Sequence, residues 1–483
     1  MELSKKLILL LSIFYIFFCT CVDSRAHHHK KKPPAKPSIA LPPAPAPEPL
    51  SKLGVLSVMS FGAVGDGVSD DTEAFKSAWD SACEEEGPGV IVAPRGYSFK
   101  IRSTIFAGPC RNGLVLQVDG TIMAPDGPEE WPGDYSRRQW LVFYRANGLA
   151  LQGGGLIDGK GQKWWNLPCK PHRGKNHTTM PGPCDSPVVS STLTETINQL
   201  NVENQETDTV TALFRFQAFR FFMSSNITVH GIRVRNSPQF HFRFDNCRNV
   251  TVDSVSIRSP ALSPNTDGIH VENSVDVNLR NSVISSGDDC VSIGAGSSNI
   301  HIRNITCGPS HGISIGSLGR QSSRACVRNI TVKDCVIKHS DNGLRIKTWQ
   351  GGSGSVSSVS FVDVLMEAVR NPIIINQYYC LSGGAACRNQ TSAVFVSDVA
   401  YQGIKGSYDS RSPAVHFGCS DAVPCTNITL AEVELLPAQG EIIAEPFCWN
   451  VYGVSRTLTI PPVACLLRGV PRSTMDIESS GCY

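Results

Sequence analysis

From Asn226 onward the chain repeats one short pattern, an Asn or Ser followed by apolar residues at alternating positions. It reads Asn226-Ile-Thr-Val, Asn249-Val-Thr-Val, Ser274-Val-Asp-Val, Asn299-Ile-His-Ile, Asn329-Ile-Thr-Val, Ser358-Val-Ser-Phe and Asn427-Ile-Thr-Leu, with Ala393-Val-Phe-Val before the last. Successive starts fall 23, 25, 25, 30, 29, 35 and 34 residues apart. Self-similarity at such a period marks a solenoid or an array. Alternation of β-branched residues with period 2 predicts strands, and no period holds the long amphipathic stretch that leucine-rich or helical repeats need. A β-propeller is the alternative, but its blades take roughly 40 residues or more and hairpin signals that are scarce here. The expectation is an all-β parallel β-helix, coils stacked edge to edge. Each coil then lies about 4.8 Å above the last, so side chains one period apart become axial neighbours.

The N-terminal part reads differently. Met1 to Ala26 carries Lys5 and Lys6, an apolar run from Leu7 to Val22 and then Ser24-Arg25-Ala26, the composition of a signal peptide. A membrane anchor is the alternative, although the 16-residue run falls below the roughly 17 to 25 of a spanning helix. Residues 27–54 open on three histidines and three lysines and continue rich in proline, as an extended linker does. A folded domain is expected over 55–483. It should begin with a strand from Val58 to Ala63 and a short helix that Asp70-Asp71-Thr72 caps and that runs through Cys83. Phe75, Ala78 and Ala82 share one face of that helix, suited to capping the open N-terminal end of the solenoid. No other segment is apolar for long enough to cross a bilayer, so the mature chain is expected to have no membrane span.

Charge and cysteines narrow the partners and the compartment. Lys and Arg total 44 against 42 Asp and Glu, with no basic face on the domain, which argues against nucleic acid as a partner. The run His27 to Lys32 is the cationic exception; such runs are usually only solvated, and holding the protein to an anionic matrix is the other use. Gly153 to Gly161 is glycine-rich but lacks the Gly-Lys-Ser/Thr ending of a phosphate loop. Of 18 cysteines, Cys19 and Cys21 lie in the leader, and the remaining 16 suit disulfides better than metal, since no Cys-x-x-Cys pair occurs. Cys380/Cys387 and Cys419/Cys425 are spaced as local staples. Sequons at Asn176, Asn226, Asn249, Asn304, Asn329, Asn389 and Asn427 fit a secreted glycoprotein.

The candidate chemistry sits in the repeats. Asp288, in Gly287-Asp288-Asp289-Cys290, stands 21 positions after Asp267, in Asn265-Thr266-Asp267-Gly268, about one coil on. Three carboxylates thus gather in one place. Adjacent residues of a regular strand face opposite ways, so Asp288 and Asp289 share a cleft only where the backbone bends, which Gly287 permits. Clustered carboxylates repel, so one holds its proton near the working pH while the others stay ionised. Glycoside hydrolysis needs those two states, an acid for the leaving oxygen and a carboxylate as base or nucleophile. A calcium site is the alternative, because Asp, Asn and backbone oxygens are also hard-cation ligands. His311 lies 23 positions after Asp288, in the same column, where a polar or proton-sharing role is expected over a merely structural one. Arg345-Ile346-Lys347 follows, with both cations on one side and Ile346 in the core. They suit an anionic substrate, gripped bidentately by Arg345; charge balance with the three aspartates is the other reading, and both can hold. Tyr378, 31 positions after Lys347, offers a sugar a ring face and a hydroxyl, with core packing as the alternative.

In this order, the Asn265, Gly287, His311-Gly312, Arg345-Ile-Lys and Tyr378 elements resemble the polygalacturonases, pectin-degrading glycoside hydrolases, most closely the plant type. Phe61-Gly-Ala-Val-Gly-Asp-Gly, Ile157-Asp-Gly-Lys-Gly-Gln-Lys-Trp-Trp165 and Asn236-Ser-Pro-Gln-Phe-His241 extend the resemblance over roughly Val55 to Cys482. It implies a right-handed parallel β-helix and inverting hydrolysis of α-1,4-galacturonosyl bonds, with Asp288 as the general acid. Asp267 and Asp289 would activate water, and His311 would support the acid's protonation. Arg345, Lys347, Tyr378 and Asn265 would bind galacturonate, and Cys290 would pair with Cys307. The resemblance further implies no metal or organic cofactor and a secreted monomer acting on pectin in the cell wall, endo action being preferred to exo.

Two departures stand out. Ser310 occupies a position where the family usually has glycine. After Pro183-Cys-Asp-Ser-Pro187, an insertion at about 188–218 precedes the strand around Arg220, and its Leu213-Phe-Arg-Phe-Gln-Ala-Phe219 either adds a strand or strains a coil. A non-catalytic pectin-binding protein with a disabled cleft is therefore one rival reading. A calcium-dependent pectate lyase is the other.

Overall fold

The computed structural model describes residues 54–131, 139–167, 217–380, 389–440 and 443–469, with 173–174, 177–178, 471 and 482. The expected leader, almost all of the linker, most of the 188–218 insertion, Asn176 and Cys387 lie outside these residues. The strands form one sheet of 20 and one of 11, whose ladders run parallel, and a separate antiparallel pair, Arg173–Gly174 with His177–Thr178. Parallel neighbours cannot be joined by a tight hairpin, so each strand returns to its partner only after the rest of a coil. The fold is a right-handed parallel β-helix.

At the N-terminal end, the expected strand at Val58 to Ala63 is instead a 3-10 turn, Val58–Phe61, preceded by strand Gly54–Ser57. Ser57 Oγ accepts the Met59 N–H at 3.3 Å, which ends the extended run there. Helix Thr72–Glu84 buries Phe75, Ala78, Trp79 and Ala82 and packs on strands Gly54–Ser57, Gly89–Ala93 and Thr104–Ala107. Asp70 Oδ1 accepts the Thr72 N–H at 3.1 Å, while Asp71 turns away to the Val64 N–H at 2.7 Å.

The sequence repeat has a backbone cause. Asn226, Asn249, Asp276, Asn299, Asn329, Ser358, Asp398 and Asn427 stand in register on successive coils, each in the left-handed region with φ between 52° and 61°. A side chain there costs roughly 1–2 kcal/mol, least for Asn and Asp. Their amides also stack: Asn249 Nδ2 donates to Asn226 Oδ1 at 2.7 Å, and Asn329 Nδ2 to Asn299 Oδ1 at 2.8 Å. The corner of the third coil is Asp276 rather than Ser274, which is buried and accepts the Cys247 N–H. Likewise Asp398, not Ala393, is the corner of its coil. A second such corner holds Asn281, Asn304, Asp334 and Asp363. Five of the seven sequons therefore begin on corner asparagines, followed by an inward aliphatic residue and a strand Thr.

In the 11-stranded sheet six consecutive strands read apolar, polar, apolar. Phe219-Arg220-Phe221, Phe242-Arg243-Phe244, Ile269-His270-Val271, Val291-Ser292-Ile293, Ile313-Ser314-Ile315 and Leu344-Arg345-Ile346 lie in register. The apolar flanks are buried, and at one end Phe143, Phe221 and Phe244 stack with centroids 5.1 and 4.9 Å apart. Strand Gln217–Phe222, where the expected insertion ends, pairs on both sides within this sheet and places Phe219 in the core. The middle residues form an outward column with one chemical choice per coil.

Disulfides join Cys83–Cys110, Cys290–Cys307, Cys326–Cys482, Cys419–Cys425 and Cys448–Cys465, and Cys380 is also disulfide-bonded. Cys419–Cys425 is the local staple its spacing predicts. Cys247 and Cys335 are free thiols whose pKa burial pushes to about 11, so they behave as core residues.

Candidate active site

Asp267, Asp288 and Asp289 precede the short strands Ile269–Glu272 and Val291–Ile293 on adjacent coils of the 11-stranded sheet. The bend that lets Asp288 and Asp289 serve one site depends on Gly287, where a Cβ would lie 2.0 Å from the Ser263 carbonyl oxygen. Thr266 fixes the same turn by accepting the Gly287 N–H at 2.9 Å. Beneath it, His241 is fully buried between the Asp267 carbonyl, 2.9 Å, and Ser259 Oγ, 2.8 Å. Burial pulls its pKa down to about 4, which suits a neutral strut.

The three carboxyls occupy different electrostatic settings. Asp267 is 4% exposed; burial, then the charges of Asp288 and Asp289, raise its pKa well above the usual carboxylate range. Ser292 Oγ opposes that shift by donating to Asp267 Oδ2 at 2.6 Å. Burial also acts on Asp289, but Lys347 and Arg345 outweigh it and hold its pKa at about 2. Asp289 Oδ2 accepts from Lys347 Nζ at 2.8 Å, and Oδ1 from Arg345 Nη2 and Ser314 Oγ, each at 2.7 Å. Asp288 is the more accessible acid, and its Oδ1 lies 2.9 Å from His311 Nδ1. That hydrogen bond raises the His311 pKa. The His311 N–H also donates to the Asp288 carbonyl at 2.8 Å, so the next coil holds the acid and its partner together.

Asp267, Asp288, Asp289, His311, Arg345 and Lys347 thus meet in one place. Asn265 has φ 52° and sits in the turn leading to Asp267. Tyr378 does not join them: its hydroxyl accepts the Asp421 N–H at 3.0 Å, further along the sheet. The neighbouring Tyr379 stands at the cluster instead, with its ring centroid 5.4 Å from Lys347 Nζ. Spacing alone cannot choose between adjacent tyrosines, because the turn after strand Asn371–Asn376 decides which one faces the acids.

Sequence reasoning also missed Ser292, Ser314 and His270. His270 Nδ1 lies 2.7 Å from Ser292 Oγ, extending the contact behind Asp267. The apolar-polar-apolar triplets were the available signal, since they put these residues in the Arg345 column. Ligand atoms of Asp288, Asp289 and His311 lie within 4.8 Å of one another, as a metal site would require. However, Arg345 and Lys347 already occupy the Asp289 oxygens, and two fixed cations oppose a third charge there.

The model of glycosyl hydrolases family 28 matches residues 83–217 and 203–451. The chain belongs to that family. It is a glycoside hydrolase by descent. A probable polygalacturonase of Arabidopsis thaliana is 41% identical over 408 residues, covering 84% of this chain and 83% of its own. A polygalacturonase of Cryptomeria japonica is 40% identical over 390 residues, covering 81% and 68%. An exopolygalacturonase from Thermotoga maritima shares the fold with a TM-score of 0.61 at 22% identity, over 79% of this chain and 88% of that one. An endo-xylogalacturonan hydrolase from Aspergillus tubingensis gives 0.63 at 22% identity, over 83% and 99%. One fold therefore serves both an exo-acting and an endo-acting enzyme.

Proposed function

We propose that this family 28 hydrolase cuts α-1,4-galacturonosyl bonds of homogalacturonan with inversion. The observation that carries the reading is the Arg345 and Lys347 pair, two nearly buried cations beside three carboxyls, which gives a carboxylate-bearing sugar its counter-charge at the cut bond. The names of the relatives at about 40% identity support the same substrate. Asp288 donates its proton to the leaving oxygen, resupplied by the hydrogen bond to His311. Asp267 and Asp289 flank the attacking water; Asp267, the more basic, receives its proton, and Asp289 stays ionised throughout. Tyr379 and Asn265 border the sugar at the cut bond. The protein acts outside the cell, on wall pectin, as a monomer without a metal, with endo action preferred. Among the described residues no helix is long and apolar enough to cross a membrane.

The test is the product profile of the purified protein on de-esterified polygalacturonate without calcium, beside Asp288→Asn. Saturated reducing ends that vanish in the variant support the reading. Unsaturated, ultraviolet-absorbing products would assign a lyase instead, and no products from the wild type would assign a binding protein.

A further inference from the structure

Beyond the acid cluster, the outward columns of the 11-stranded sheet change character. The register carries Arg345 to Ile374, His416 and Phe447, and Lys347 to Asn376, Gly418 and Trp449. Columns that hold cations at the acids therefore end in aromatic rings three coils on, roughly 14 Å away. Phe447 and Trp449 are 42% and 52% exposed, a large apolar surface for a sheet face in contact with solvent. They are also held in place: the His416 ring stacks on Phe447 with centroids 4.6 Å apart, and Trp449 Nε1 donates to Asp421 Oδ1 at 2.6 Å. With Asn376 and Tyr378 they line an open groove of about 370 Å³.

Unlike the site upstream, this groove holds no lysine or arginine among its described lining residues. Among its described lining residues the one formal charge is the Asp421 carboxylate, and burial pulls the His416 pKa down, toward the neutral ring. A galacturonate carboxylate placed here would meet a negative charge and ring faces. An esterified unit has no charge to repel and presents the apolar C–H face and methyl group that aromatic rings accept.

We propose that this groove is a subsite for a methyl-esterified, uncharged galacturonosyl unit of the same polymer chain that is cut beside Arg345 and Lys347. The occupant follows from continuity, because one sheet face and its two residue columns run unbroken from the acids to the rings. The proposal rests on the polygalacturonase reading and adds a pattern to it: a free carboxylate at the cut bond and an ester about three coils away. The preferred polymer is then partly esterified rather than bare.

The test compares kcat/KM on de-esterified and on partly methyl-esterified homogalacturonan for the wild type, Trp449→Ala, Trp449→Phe and Asp421→Lys. Trp449→Ala is expected to lower the esterified-to-bare ratio about fivefold, the value of one ring stack, with Trp449→Phe restoring most of it. Asp421→Lys should move the preference toward the bare polymer. Ratios unchanged in Trp449→Ala and in Asp421→Lys, with melting temperatures preserved, would overturn the proposal. If the wild type cuts neither polymer, the hydrolase reading fails separately, and the groove is judged by tryptophan fluorescence with methyl-esterified oligogalacturonides. Quenching that Trp449→Phe removes supports the groove; no quenching in the wild type overturns it.

Discussion

Two outward columns run along the same coils and follow opposite rules. At the corner, Asn226, Asn249, Asn299, Asn329 and Asn427 alternate only with Asp276, Ser358 and Asp398, because every coil turns there with a positive φ and the Asn249, Asn299, Asn329 and Asn427 amides each donate to the corner residue of the coil before. Along the cleft sheet, the column through Arg243, His270, Ser292, Ser314, Arg345, Ile374, His416 and Phe447 never keeps one chemistry for long. Its backbone is ordinary extended strand, which any side chain tolerates. The backbone constrains the first column, so its residues report structure. It leaves the second free, so its residues report chemistry.

Substitutions in the two columns should therefore fail in different ways. Asp288→Asn should lower kcat about 10²- to 10⁴-fold, the usual worth of a positioned general acid, with unfolding unchanged in urea melts. Lys347→Ala should damage both properties. It removes one of two cations from a carboxylate 2% exposed, at a cost of about 2–3 kcal/mol, moderated because Arg345 and Ser314 remain. Asp289 is depressed to about 2, so the stability it contributes is present above the ordinary carboxylate range and is lost as pH falls through about 2. The stability gap between wild type and Lys347→Ala should narrow over that window.

Asn299→Ala should show the reverse of Asp288→Asn. It loses the corner residue's tolerance for φ 57° and two ladder bonds, costing about 1–2 kcal/mol in denaturant midpoint, while the kcat of the folded fraction stays at the wild-type value. Asn299→Gly should recover the backbone part of that loss, which would separate φ from the amide ladder. The smallest effect is expected at Ser292→Ala, which removes the donor that lowers the Asp267 pKa. The base must be ionised to work, so raising its pKa moves the acidic limb of the kcat–pH profile to higher pH. An unmoved acidic limb would remove Asp267 from the water-activating role.

The same division explains what could be read beforehand. The corner asparagines announced the solenoid, because a backbone demand that recurs on each coil writes the same letters repeatedly. It also produced two misplacements. Ser274 and Ala393 mimic the pattern's start, but the corner is set by which residue stands opposite Asn249 or Ser358, and that is a cross-coil fact. The two corners supply a structural origin for five sequons as well, four on the first and Asn304 on the second, independent of any role in secretion. Asp267, Asp288, Asp289, His311, Arg345 and Lys347 were legible as a group because each lies near one coil period from the next.

The sequence by itself determined the repeating strands, their stacking, six of the eight corner positions and the identity of the acids and cations, since these follow from local periodicity and backbone preference. Tertiary structure alone decided how those groups are paired. It gave both cations to Asp289, left Asp267 with a serine, put Tyr379 rather than Tyr378 at the cluster, and ended the cation columns in Phe447 and Trp449. The physical reason is that such pairings lie between coils, and the connections between coils differ in length. One residue more or less in a turn reverses which side chain faces the cleft, and no local rule in the sequence fixes that parity.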